Sequence, residues 1–140
     1  MDSSQNICVG IVDDDDSIRR ALTRLLRAAR FQPITYPSAE AFLADANRPK
    51  FVCLVLDIQL GGMSGLDLSR RLSAVKDGTP VIFNTAHDDP ELRAQAKASG
   101  CAGFFRKTDP AAHLLAAIRR ATKLEDSNAA RQPGEKNRPG

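Results

Sequence analysis

The chain has 140 residues, 42% of them apolar, with a net charge of +3 and a pI near 9.0. That length fits one domain with a core of its own, and the apolar share is that of an ordinary globular protein. The odd set Cys8, Cys53 and Cys101, with no CxxC, argues against a disulfide frame or a cysteine metal site. No apolar run nears the ~20 residues of a membrane span. The N-terminus also lacks a signal pattern, so a soluble cytoplasmic protein is expected.

In chain order, residues 7–12 are an apolar run, read as a buried strand, followed by Asp13 to Asp16. Residues 17–30 carry Ile18, Leu22, Leu25, Leu26 and Ala29 at helical spacing. Residues 31–36 read as a weaker strand that Pro33 assigns to an edge. Ser38 caps a short helix with Ala41, Phe42 and Leu43. Phe51 to Leu56 is the clearest strand, ending at Asp57. Gly61, Gly62 and Gly65 mark a loop before a helix with Leu66, Leu68, Leu72 and Val75. Val81 to Phe83 is the fourth strand. Asp88 is expected to cap the next helix, with Pro90 in its first turn and Glu91 completing a capping box. Ala102 to Arg106 is the fifth strand. Asp109-Pro110 starts a last helix through Leu114, Leu115, Ile118 and Leu124.

Strands apolar throughout, alternating with helices, predict a parallel sheet covered on both faces. Cys8 and Cys53 fall in strands and read as small buried hydrophobes. The arginines Arg19, Arg20, Arg24, Arg27 and Arg30, with Arg119, Arg120 and Lys123, read as solvated helix faces. From about Asp126 large apolar side chains stop, which predicts a disordered tail over residues 125–140.

Polar residues gather where the strands end: Asp13-Asp14, Asp57, Asn84-Thr85 and Lys107. In a parallel α/β sheet these ends share one edge, where ligands bind. Two or three carboxylates make a site for a hard cation such as Mg²⁺, which also binds phosphate oxygens. Asp57 is a candidate nucleophile of the aspartyl-phosphate kind, with Thr85 and Lys107 as phosphoryl-binding groups. Individually, Asp14 to Asp16 could be helix-capping carboxylates and Asp57 a turn residue. Their placement together at strand ends favours a site.

These residues, with Arg19, Met63-Ser64-Gly65-Leu66, Thr85-Ala86 and Phe104-Phe105-Arg106-Lys107, carry a resemblance to the receiver domain of two-component response regulators. The resemblance covers about residues 5–124. It implies a flavodoxin-like doubly wound (βα)5 sandwich with strand order 2-1-3-4-5. It also implies Asp57 as phosphoacceptor from a histidine kinase or phosphotransfer protein. Mg²⁺ would be held by Asp13, Asp14, Asp57 and the main-chain carbonyl of Gln59. Lys107 would bind the phosphoryl group, and Thr85 and Phe104 would switch a protein-binding surface. Gly61 stands where the family usually has Pro, implying a looser loop. Lys107-Thr108 replaces a Lys-Pro pair that is often cis. A cis bond to Thr would cost about 3–4 kcal/mol, so a trans bond, with a changed reach for Lys107, is the alternative. Asn84 replaces an apolar residue and would add a polar group at the site edge. Gln59 and His87 would tune access of water to the phosphate, or His87 is a plain loop residue. His113 is expected to be structural or exposed.

The expected function is therefore a phosphorelay receiver, stand-alone and acting on a downstream protein. No direct nucleic-acid contact, no membrane and no turnover of an external substrate are expected, and a homodimer on phosphorylation is left open. The alternative is the receiver part of a DNA-binding regulator, because the Phe31 to Leu43 region looks like receivers that precede helix-turn-helix outputs. A small-molecule phosphatase is disfavoured because Gln59 stands where a second catalytic Asp would be needed.

Overall fold

The computed structural model describes residues 7–87 and 89–130, the stretch 123–130 by its backbone alone. Five strands alternate with five helices: β1 (Cys8–Val12), α1 (Asp16–Ala28), β2 (Gln32–Tyr36), α2 (Ala39–Ala44), β3 (Phe51–Leu56), α3 (Gly65–Ala74), β4 (Val81–Thr85), α4 (Pro90–Ala98), β5 (Gly103–Arg106) and α5 (Ala111–Ala130). All strand pairs are parallel, and the order is β2-β1-β3-β4-β5. β2, with Pro33, is an edge strand. The order reverses between β1 and β3, the switch point where doubly wound sheets bind ligands.

Strand alternation divides the core in two. Val12, Leu54, Leu56 and Phe83 pack with Ala39 and Phe42 of α2, Leu68 and Leu72 of α3, and Ala96 of α4. Val9, Ile11, Val55 and Ile82 pack with Leu22 and Leu26 of α1 and Leu114, Ala117 and Ile118 of α5. Because β1, β3 and β4 lose water on both faces, β1 and β3 are continuous apolar runs and β4 opens on Val81-Ile82-Phe83 before the buried polar pair Asn84-Thr85. Cys8 and Cys53 are buried in this sheet as expected, and burial pushes the Cys53 thiol up to about 12. Cys101 is half-buried and, like the others, unpaired.

Several local expectations need correction. The N-cap of α4 is Asp89, whose carboxylate accepts from Glu91 N–H; Asp88 lies outside the described residues. Pro90 explains the shift, because it takes the first helical position and leaves the cap to its immediate neighbour. Asp109 turns back onto β5 and accepts from Arg106 N–H at 2.9 Å, and α5 begins at Ala111. Val75 ends α3 as its C-cap and is 72% exposed. α5 runs past residue 124 to Ala130, so residues 125–130 of the expected tail are helical. The rest of that tail, 131–140, lies outside the described residues.

Candidate functional site

The sheet's hydrogen-bond ladder runs directly into the site. Asp13 N–H donates to Tyr36 O (3.1 Å), Asp57 N–H to Val12 O (2.9 Å) and Lys107 N–H to Thr85 O (2.8 Å). Each residue just past its strand is thus held by the neighbouring strand. Asp13, Asp57 and Thr85 are buried, at 2%, 3% and 0% exposure.

The side chains converge. Lys107 Nζ donates to Asp57 Oδ2 at 2.8 Å and lies 3.0 Å from Asp13 Oδ2. Backbone amides two residues on hold the same carboxylates: Asp15 N–H donates to Asp13 Oδ1 (2.9 Å) and Gln59 N–H to Asp57 Oδ1 (3.1 Å). Arg19 reaches back from α1 and donates to the Asp13 carbonyl at 2.7 Å, fixing the turn between strand and helix. Asp15 is the N-cap of α1, accepting from Ser17 and Ile18 N–H, and Asp16 pairs with Arg19 and Arg20. The aspartate run therefore divides between a site pair and a helix start.

Burial raises the Asp13 carboxyl above the usual aspartate range. Hydrogen bonds from Asp15 and Lys107 oppose this, while the Asp57 charge adds to it. Burial pulls the Lys107 ammonium down, but its bonds to Asp57 and Asp13 outweigh that and leave its pKa raised. Lys107 is thus a fixed cation between two buried carboxylates. Every described peptide bond is trans, Lys107-Thr108 included, and the side chain still spans to Asp57.

Asp13, Asp14 and Asp57 each bring one carboxylate oxygen within 4.8 Å of the others. Three carboxylates against one ammonium leave two negative charges in excess. Oxygen donors with that surplus fit a divalent hard cation. Asp14 is exposed, so the cluster opens to solvent.

The other expected residues stand around this centre. Thr85 Oγ accepts from His87 N–H at 3.3 Å, and His87 is exposed on the loop. Asn84, one residue before Thr85 on β4, is buried and by alternation lies on the face of α1 and α5, the face onto which Asp13, Asp57 and Lys107 also fall. Phe104 is half-buried, with the Arg93 guanidinium 4.6 Å above its ring. His113 is exposed on α5. The sequence reading placed Arg19 on a solvated helix face, whereas its side chain is 18% exposed and bonded to the Asp13 carbonyl, and it did not find the Arg93–Phe104 stack. Helical phase, which turns Arg19 back toward Asp13, was the available signal for the first. The second joins two elements and leaves no local pattern.

A parallel five-stranded sheet with carboxylates and a lysine at its switch point defines a doubly wound α/β domain with a cluster of charged side chains at its carboxyl edge. A family model for the response regulator receiver domain matches residues 9–119. The chain is 37% identical over 123 residues to the response regulator protein TodT of Pseudomonas putida, covering 88% of this chain and 54% of TodT. It is 35% identical over 115 residues to the transcriptional regulatory protein FixJ of Rhizobium meliloti, covering 82% and 56%. The solved structure of the response regulator StyR superposes with a TM-score of 0.77 at 38% identity, covering 87% of this chain and 62% of that one. The chain belongs to the response regulator receiver domain family. It spans about half the length of the curated relatives it matches.

Proposed function

We propose that Asp57 is the phosphoacceptor of this receiver and takes its phosphoryl group from the phosphohistidine of a sensor kinase or phosphotransfer protein. The observation that supports this most is Lys107 Nζ bridging Asp57 and Asp13 from a different strand end. An Asp57 oxygen attacks phosphorus. The new O–P bond forms as the P–N bond to imidazole breaks, and its electron pair stays on the imidazole nitrogen. Asp13, Asp14, Asp57 and the Gln59 carbonyl would hold Mg²⁺, which when bound offsets carboxylate and phosphoryl charge. Lys107 exchanges its bond to Asp57 for one to a phosphoryl oxygen. The Thr85 hydroxyl leaves its contact with His87 N–H and turns inward to the phosphoryl group, and Phe104 repacks.

That sequence biases a two-state surface formed by α4, β5 and α5. Moving a population from 1:99 to 99:1 takes about 5.5 kcal/mol, within reach of several charge-assisted bonds to a dianion. The domain works in the cytoplasm by protein contact with a downstream target, binds no nucleic acid itself and turns over no external substrate. Among the described residues, no helix is long and apolar enough to cross a membrane. A second reading, a receiver serving a DNA-binding output, is favoured by the relative called transcriptional regulatory protein FixJ, 56% of which is matched. The length of the native gene product distinguishes the two readings.

The test is intact-mass analysis after incubation with a small acyl phosphate and Mg²⁺. Wild type gains one phosphoryl group and Asp57→Asn gains none. Equal labelling of both removes Asp57 as acceptor.

A further inference from the structure

The loop between Asp57 and α3 is fastened at two places. Gly65 N–H donates to Ile58 O at 3.0 Å, and a Cβ at Gly65 would run into the Asp57 carbonyl, so only glycine lets the loop close here. The second fastening comes from outside the loop. Glu40, in the first turn of α2, accepts from Met63 N–H through Oε2 at 2.8 Å, across 23 residues of sequence. A Cβ at Gly62 would lie 2.5 Å from that same oxygen and 3.1 Å from Glu40 Cδ. Gly62 thus gives the carboxylate room to reach the loop. Between the fastenings lie Gln59, Leu60, Gly61 and Gly62. The two glycines are the residues with most backbone freedom to lose. Among the described residues, Gln59 is tied only at its amide, to Asp57 Oδ1.

We propose that Glu40 is a positioning residue for the acceptor loop, and that its bond to Met63 sets the cation affinity of the site by holding the segment that carries Gln59. The inference rests on the proposed role of the Gln59 carbonyl as a ligand. The Glu40 tether supplies the stiffness that Gly61 forgoes in place of the family's usual Pro. A Cβ at Gly61 meets nothing within 4 Å, so a side chain can start there without a clash. Residues that orient ligands from outside the coordination sphere commonly change metal affinity by 10–100-fold when removed.

The test is a MgCl2 titration of the full chain followed by amide NMR, with hydrogen exchange of the Met63 amide as a second readout. Glu40→Ala weakens Mg²⁺ binding about 10-fold and speeds Met63 exchange. Gly62→Ala, which displaces the Glu40 carboxylate, does the same, and the double variant is no worse than either single one. Glu40→Gln keeps an acceptor oxygen and keeps wild-type affinity. Gly61→Pro restores affinity to Glu40→Ala. A Glu40→Gln protein as weak as Glu40→Ala would mean that charge alone acts, and overturns the tether. So does unchanged affinity in both Glu40→Ala and Gly62→Ala while wild type still responds at Asp13, Asp14 and Asp57. No response at those amides in wild type overturns the cation site itself, and the tether with it.

Discussion

Phe51, which opens β3, and Asp57, just past its finish, lie six residues apart and follow opposite rules. At its start, Phe51 stacks on Phe42 (centroids 6.1 Å apart) and meets Tyr36 edge-on at 6.5 Å, while Arg48 lies 4.4 Å over Phe42. Polar groups there are few and satisfied: the Tyr36 hydroxyl donates to Asp45 at 2.7 Å. At its finish, Asp57 shares a buried pocket with Asp13 and one lysine. Two carboxylates about 4 Å apart repel by roughly 4 kcal/mol at an effective dielectric of 20. One end gains stability from burial, whereas the other keeps buried carboxylates in excess of the one lysine that meets them.

Substitutions at the two ends should separate stability from chemistry. Phe51→Ala should have the largest effect, a loss of about 4 kcal/mol in urea unfolding, while phosphorylation persists at temperatures where the protein stays folded. At the other end, Mg²⁺ at 100 times its Kd should add about 2.7 kcal/mol to wild type. Asp57→Asn should lose most of that gain, and an equal gain in the variant would detach Asp57 from the cation site. Lys107→Met, which leaves buried carboxylates without their cation, should cost about 2 kcal/mol without Mg²⁺. Mg²⁺ should recover part of it, measured by thermal unfolding with and without the ion.

The smallest effect concerns pH at the aromatic end. Burial, and then the hydrogen bond to Asp45, hold the Tyr36 hydroxyl well above the usual tyrosine range. The folded state therefore keeps this proton more tightly than the unfolded state. The contribution is whole below about pH 10, the ordinary tyrosine value, and declines above it. Asp45 behaves conversely: the Tyr36 bond, then the Asn47 N–H, lower its carboxyl. Its contribution is present above about pH 3.9, the ordinary aspartate value, and fades as pH falls through the lowered one. Tyr36→Phe should cost about 1 kcal/mol at neutral pH and flatten both limbs of the pH–stability curve.

Most of the fold was legible because it is local. β1 and β3 are uninterrupted apolar runs, and each ends at a residue of different chemistry, so Asp13, Asp57 and Lys107 could be placed on one edge before any coordinates. What was not legible depends on choices between neighbours or on contacts between distant elements. Asp88 and Asp89 are equivalent caps until Pro90 sets the first helical position. Asp109 looks like a cap, but Arg106 N–H and its guanidinium lie closer to hand. Glu40 and Met63 share no periodic pattern, and only the packing of α2 against the loop brings them together.

The most direct test of the central claim is to identify the residue that carries the phosphoryl group. Borohydride reduces an aspartyl phosphate to homoserine, so reduction of the phosphorylated chain followed by peptide mass spectrometry reads the position. Homoserine at position 57 alone is the expected result. Homoserine at position 13 or 14, or phosphate on a hydroxyl or histidine with Asp57 intact, would contradict it.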